Sequence, residues 1–404
     1  MGVTIEMKKL GYTILVLLCT AMVVSGCAAS KKDTTKEKKE PVQEKEYQGK
    51  LNLIQPSAYN NVEGLTLEPG SYISIIGKEE SGAYWNEVKA GAEQAVADIN
   101  EMMGYEGKEK VKVTYSGPSK KNSVDEQVNI LDEELARYPV ALGIAIVDTK
   151  ACEVQFDLAA ESGIPIVAFD SGSEYQGLMS TISTDNAAAA RDAAGKFAEL
   201  IGDAGEVAVF VQDSKSESAN VRETAFLDEI KQNHPDISIV EIYHMDQSDT
   251  MKRQIAAEIN AGIYQKPEDV KNEADQPVAA PIITEADITD EDIVDYILTK
   301  HPNLKGCFAT SEDAVGIALD GIERVGNKDL TLVGFDMNEE LKKALEEGSV
   351  DGLIVQNPFG IGYGTVVASA RAALEQGNEA IVDTGYTWVT KENLKEESVQ
   401  KILY

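Results

Sequence analysis

The chain has 404 residues, 43% of them hydrophobic, and a formal net charge of −32. That length accommodates two domains of ordinary size. So acidic a molecule is repelled by nucleic acid, which excludes a nucleic-acid partner from the expected functions.

At the start of the chain, Lys8 and Lys9 precede an apolar run from about Tyr12 to Val24, followed by Ser25, Gly26 and Cys27. A positive segment, a short apolar segment and small residues before a cut site make a secretory signal. The run is short for a bilayer span. Val24-Ser25-Gly26-Cys27 resembles a bacterial lipobox, which implies that Cys27 is diacylated and that residues 1–26 are a signal peptide. The body is then expected outside the cytoplasmic membrane, anchored to it by lipid. Residues 28–50 are polar and slightly basic, with little to bury, and read as a disordered tether running on to about residue 67. Cys19 falls in the signal, which leaves Cys152 and Cys307. Each lies beside or within an apolar segment and reads as a buried, inert thiol.

From Ser71 onward, short apolar runs alternate with helical patterns. Strands are predicted at 72–76, 111–115, 140–146, 164–169, 206–210, 237–243, 305–310, 330–335 and 350–356. The runs are continuously apolar, as parallel strands covered on both faces require. Between the first two, Val88, Ala92, Val96 and Ile99 recur at helical spacing behind a start at Ser81 or Gly82, and another helix opens near Asn186. This alternation predicts an α/β architecture of two doubly wound parallel-sheet lobes. Residues 262–288 break the rhythm with three prolines and many acids. They read as an insertion, mostly loop, with a short strand near 281–284. Thr289 and Asp292 then form a capping pair for the next helix.

Catalytic signatures are missing: there is no G-x-S-x-G, P-loop, H-E-x-x-H or paired C-x-x-C. His234, His244 and His301 have no shared metal spacing, and no cofactor or metal is expected. Gly360, Gly362 and Gly364 lack the spacing of a dinucleotide fingerprint and read as a closely packed helix. Polar residues instead collect at the C-terminal ends of predicted strands: Asp148, Asp170, Ser311 with Glu312, Asp336 and Gln356. Ligands of open α/β sheets bind outside those ends. A carboxylate accepts from two vicinal hydroxyls and an amide both donates and accepts, so the set suits a polyhydroxylated ligand. Tyr84 and Trp85 offer a flat face to a sugar ring.

Several segments in order carry a family resemblance: YWNEVKAGAEQAVADIN, VDTKACEVQFDLAAESGIPIVAFDSG, STDNAAAARDAAGKFAELIG, NVRETAFLDEI, LKGCFATSEDAVGIALDGI, LVGFDMNEELKKALEEGSVDGLIVQNPFGIGYGTV and VDTGYTWVTKENL. From about Ser71 to Asn393 the chain resembles the sugar-type solute receptors of ABC importers with the type I periplasmic-binding fold, the group around ribose-binding protein. The resemblance implies a non-enzymatic, monomeric receptor that closes two lobes on a ligand and docks on an ABC permease. It places ligand contacts at Tyr84, Trp85, Asp170, Asn220, Ser311, Asp336 and Gln356. Asn220 stands where ribose receptors carry a ligand arginine, and Ser171 where the family often has another. Those departures point away from simple ribose specificity, and from phosphorylated or carboxylated ligands towards a neutral sugar or polyol. The resemblance also implies three crossings, near 183–186, 356–358 and 383–385. The first lobe is then 68–184 plus 358–382, and the second 185–357 plus 383–404.

Two other function classes share these features. One is a receptor that presents ligand to a membrane sensor kinase or chemoreceptor. The other is an extracytoplasmic glycosidase using Asp170 and Asp336, which needs carboxylates about 5–9.5 Å apart and turnover. Related lac-repressor-like regulators need a helix-turn-helix where this chain has a lipid signal.

Overall fold

The computed structural model describes residues 45–266 and 282–404. The lipobox and Cys27 lie outside them, as does the 267–281 part of the predicted insertion.

Chain order follows the strand–helix alternation. The segment α1 (Gln48–Leu51) precedes β1 (Tyr72–Ile76), α2 (Ala83–Met103), β2 (Lys112–Ser116), α3 (Val124–Leu135), β3 (Ala141–Ile144), α4 (Glu153–Glu161), β4 (Ile166–Phe169) and β5 (Leu178–Ser183). The chain then builds a second lobe from α5 (Asn186–Ile201), β6 (Gly205–Val211), α6 (Glu217–Asn233), β7 (Ile237–His244), α7 (Ser248–Asn260), α8 (Asp290–Lys300), β8 (Leu304–Ala309), α9 (Glu312–Val325), β9 (Thr331–Phe335), α10 (Glu339–Glu347) and β10 (Gly352–Gln356). It returns to the first lobe with α11 (Pro358–Ala373) and β11 (Ile381–Asp383). It ends on the second with β12 (Tyr386–Val389) and α12 (Glu397–Gln400).

The two sheets repeat one plan. Their strand orders are β11-β5-β4-β3-β1-β2 and β12-β10-β9-β8-β6-β7. Every pairing is parallel except β10 with β12. Crossover helices cover both faces, so the central strands β1, β3, β4 and β10 are buried, with only Tyr72 at the start of β1 partly exposed, as their apolar sequence requires. The chain passes between the sheets at 184–185, at Asn357 and at 384–385.

Local chemistry explains the boundaries. Val88, Ala92, Val96 and Ile99 are buried along one face of α2, and Gly104 ends the helix in the left-handed conformation at φ 69°. The Asp185 side chain caps α5 by accepting from the Ala188 amide at 2.8 Å. Thr289 and Asp292 form a reciprocal capping box at the start of α8. The predicted strand near 281–284 does not form: residues 282–284 are irregular and lead into a short turn of 3₁₀ helix, Glu285–Asp287. The glycines of α11 permit a close crossing, since a Cβ on Gly362 would strike the Val88 carbonyl and one on Gly91 the Phe359 carbonyl.

Residues 51–67 depart from the expected tether. Leu51, Ile54, Tyr59, Leu65 and Leu67 are buried in the first-lobe core, and the segment meets α11 through α1 and the turn at 57–59. The segment also reaches the crossings. Asn357 donates to the Lys50 carbonyl at 2.7 Å and the Thr384 carbonyl at 2.9 Å, and Gln55 exchanges two backbone hydrogen bonds with Asp383. Asp98, buried at the base of α2, accepts from Lys45, Tyr47, Gln94 and Tyr363. Cys152 and Cys307 are free and buried, one in each lobe. Burial pushes their thiols up, to about 11 and about 12.

Candidate ligand-binding cleft

The C-terminal strand ends of both sheets converge on one cavity between the lobes. Its lining includes Lys78, Tyr84, Trp85, Lys121 and Asp170 from the first lobe, and Gln212, Ser218, Arg222, Ser311, Glu312, Asp336 and Gln356 from the second.

Asp170 and Asp336 occupy equivalent positions in the two lobes. Asp170 follows β4 and its amide donates to the Ile182 carbonyl of β5 at 2.9 Å; Asp336 follows β9 and its amide donates to the Ile354 carbonyl of β10 at 2.8 Å. Both backbones are left-handed, at φ 60° and φ 71°, a conformation that aspartate tolerates better than most residues. The turn aims each side chain across the strand ends rather than along the sheet faces, and both are buried.

Each carboxylate is held by its own lobe. Tyr84 donates to Asp170 Oδ1 at 2.6 Å, and Lys78 Nζ lies 3.2 Å from Oδ2. Gln356 Nε2 donates to Asp336 Oδ1 at 2.6 Å, and Thr184 donates to Gln356 Oε1 at 2.9 Å, which fixes the orientation of the amide. Arg222 lies 3.9 Å from Asp336 Oδ2. Its guanidinium stacks over Phe335 and donates to Asn186 and to the Thr310 carbonyl. Burial raises the Asp336 carboxyl above the usual range, against the pull of Arg222 and Gln356. Burial likewise raises Glu312, and with the Asp170 charge it holds the Tyr84 phenol protonated and donating.

The lobes touch across the cavity. The Ser218 amide donates to Ser171 Oγ at 3.3 Å, the Gly172 amide to Glu217 at 3.4 Å and the Thr149 amide to the Lys215 carbonyl at 3.4 Å. At the mouth, Lys121 pairs with Asp313 at 2.7 Å and with Glu79 at 3.0 Å.

Six of the seven residues expected from sequence, Tyr84, Trp85, Asp170, Ser311, Asp336 and Gln356, therefore surround one cavity. Asn220 does not. It lies on another face of α6, in a separate groove with Lys150, Glu174 and Arg191, while Arg222 two positions on turns into the cavity. Two residues are about 200° apart around a helix, so a placement two positions off chooses the opposite side. Asp148 is outside the lining as well; its carboxylate accepts from the Lys150 amide in a local turn. Ser311 also caps α9 through the Ala314 amide. Lys78, Lys121 and Arg222 bring to the cavity three cations that were not among the expected ligand contacts. Lys78 was legible by the rule that found Asp170, since it follows the YISIIG run of β1. Lys121 and Arg222 sit in a loop and within a helix, where that rule is silent.

Residues 73–271 and 286–379 match the model of the periplasmic binding protein domain family. The ribose import binding protein of Escherichia coli is 31% identical over 70 residues, 17% of this chain and 24% of that protein, so the chain spans about a quarter of that relative's length in the match. Among solved structures, a carbohydrate transporter solute-binding protein of Agrobacterium radiobacter in complex with D-arabinose is 25% identical, covering 84% of this chain and all of that one at a TM-score of 0.64. An ABC transporter solute-binding protein of Agrobacterium vitis with bound D-fucose is 23% identical, with 83% and 100% coverage and a TM-score of 0.65. The latter shows the shared fold. With the matched segments running through both lobes and the cleft between them, the chain belongs to the periplasmic binding protein domain family, whose members are solute receptors rather than enzymes.

Proposed function

We propose that this chain is the extracytoplasmic solute-binding lipoprotein of a sugar ABC importer, capturing a small neutral sugar or polyol between its lobes and handing it to a membrane permease. The observation that carries the reading is the matched pair Asp170 and Asp336, one from each lobe, both buried on a single cavity. A ligand whose hydroxyls reach both carboxylates gains contacts only when the lobes are together, so binding favours closure. The cations do not make this an anion site. The lining carries three of them, Lys78, Lys121 and Arg222, against five carboxylates, Glu79, Asp170, Glu312, Asp313 and Asp336, and each cation already faces at least one of these. An anionic ligand would have to displace a carboxylate or be buried beside it, whereas a hydroxyl accepts from the cation and donates to the acid. Tyr84, Trp85, Ser311 and Gln356 complete the ligand contacts, and Arg222 replaces Asn220 in that set.

D-arabinose and D-fucose, the sugars bound by the two similar receptors, are the first probes, with D-tagatose as a ketose comparison. Calorimetric titration should give one site for at least one aldose and none in Asp170→Ala. Binding of only amino acids or sugar phosphates would overturn the sugar reading. The anchor is tested separately: mass spectrometry should find diacylated Cys27 at the mature N-terminus, and Cys27→Ala should release the protein from the membrane fraction.

A further inference from the structure

Three covalent crossings join the lobes, but a further segment also spans them. Leu394 and Val399 are buried in the second-lobe core, with Leu403 packed on it. Beyond α12 the chain then turns towards the first lobe. Lys401 lies against Gly49 of the N-terminal segment, and the Tyr404 ring packs on both the second-lobe and first-lobe cores. Its ring centroid is 5.9 Å from that of Tyr84, at an interplanar angle of 76°. Tyr84 in turn meets Trp85 edge to face at 5.1 Å and donates to Asp170. Tyr404 thus backs the tyrosine that holds one of the two central carboxylates, from a segment rooted in the opposite lobe.

We propose that Tyr404 is a positioning residue of the cleft: carried across from the second lobe, its ring holds Tyr84 in place against Asp170 and favours the closed arrangement before any ligand arrives. The claim rests on the reading of the cleft as the ligand site. The contact can form only when the lobes are together, because Tyr404 moves with one lobe and Tyr84 with the other. Aromatic pairs at this separation and tilt attract beyond their buried area. The Tyr404 hydroxyl faces the Met337 backbone of its own lobe, so across the lobes it is the ring and not the hydroxyl that supplies the contact.

The amides of Thr149, Gly172 and Ser218 report closure directly, since each donates across the lobes. Hydrogen exchange of the full chain without added sugar should show them protected. Tyr404→Ala should speed exchange at all three by roughly tenfold while strands β1 and β6 keep their protection. Tyr404→Phe, which keeps the ring, should behave as the wild type. If Tyr404→Ala loses protection in β1 and β6 as well, Tyr404→Leu, which retains apolar bulk without a ring, decides instead. A purely structural role would raise exchange only around residues 394–404, and that pattern would overturn the proposal. So would wild-type amides already unprotected at the three positions. Because no sugar is present, failure of the sugar panel leaves this result standing, and the reverse also holds.

Discussion

Lys78 Nζ and Asp170 Oδ2 face each other at 3.2 Å on the floor of the cleft, both at strand ends of the first lobe and both more than nine-tenths buried. Lys78 also reaches Ser218 of the second lobe at 3.4 Å. The pair therefore couples the charge of the central carboxylate to the interlobe contact. Removing one partner of a buried pair leaves an uncompensated charge and costs about 3–5 kcal/mol, whereas removing both costs much less. Urea unfolding should show Lys78→Met strongly destabilised and Lys78→Met/Asp170→Asn substantially recovered. Additive losses would show that the two do not act as a pair.

Lys121 makes a weaker link at the cavity mouth. Burial pulls its ammonium down, but the bonds to Asp313 and Glu79 outweigh that and raise it. Its side chain is 42% exposed, so solvent screens the pair and its worth is about 0.2–1 kcal/mol. Lys121→Ala should weaken sugar binding by roughly two- to fivefold in dilute buffer. The difference should shrink towards nothing in 0.5 M salt. A loss unchanged by salt would mean that Lys121 contacts the ligand itself.

His244 gives the second lobe a pH dependence. Its hydrogen bond to Glu223, at 2.9 Å, raises its pKa above the ordinary value despite burial. A folded-state pKa above the unfolded one stabilises the protein in full below the unfolded value, and that stability fades as pH rises through the folded value. The stability gap between wild type and His244→Gln should therefore be larger at pH 5.5 than at pH 8.5 by chemical denaturation. A gap that widens towards alkaline pH would contradict the assigned pair.

The crossing of α2 and α11 has no room for a side chain at Gly91 or Gly362, where the obstacle is backbone. Gly362→Ala should cost at least about 1–3 kcal/mol by forcing the helices apart. Gly195, on α5 with open space around it, is the control and should accept alanine with a small gain or no change. Equal effects at the two sites would remove close packing as the reason for the glycine-rich helix.

The lobe plan was legible because parallel, doubly covered strands leave long apolar runs: the nine strands predicted outside the insertion all formed, whereas the one expected near 281–284 did not. The three that were not predicted, β5, β11 and β12, lie beside the crossings. The LMSTIS sequence of β5 is half polar, and β11 and β12 have only three and four residues, too few for a period to show. Residues 51–67 were misread because their apolar residues have no helical or strand period; they join the first-lobe core one by one. The acidic half of the cleft was visible at strand ends, but its cationic half was not, since Arg222 points inward from the middle of α6 and an interior helical arginine ordinarily faces water.

The central claim is that Asp170 and Asp336 together hold one neutral sugar between the lobes. Thermal unfolding of the wild type and of Asp336→Ala with D-arabinose, D-fucose, D-tagatose, polyols, nucleosides and amino acids tests it most directly. At 100 times its dissociation constant a ligand stabilises the native state by about 2.7 kcal/mol, enough for a clear rise in Tm. A rise with one sugar that disappears in Asp336→Ala is the expected result. A rise of equal size in Asp336→Ala, or one given only by an amino acid or nucleoside, would contradict the account.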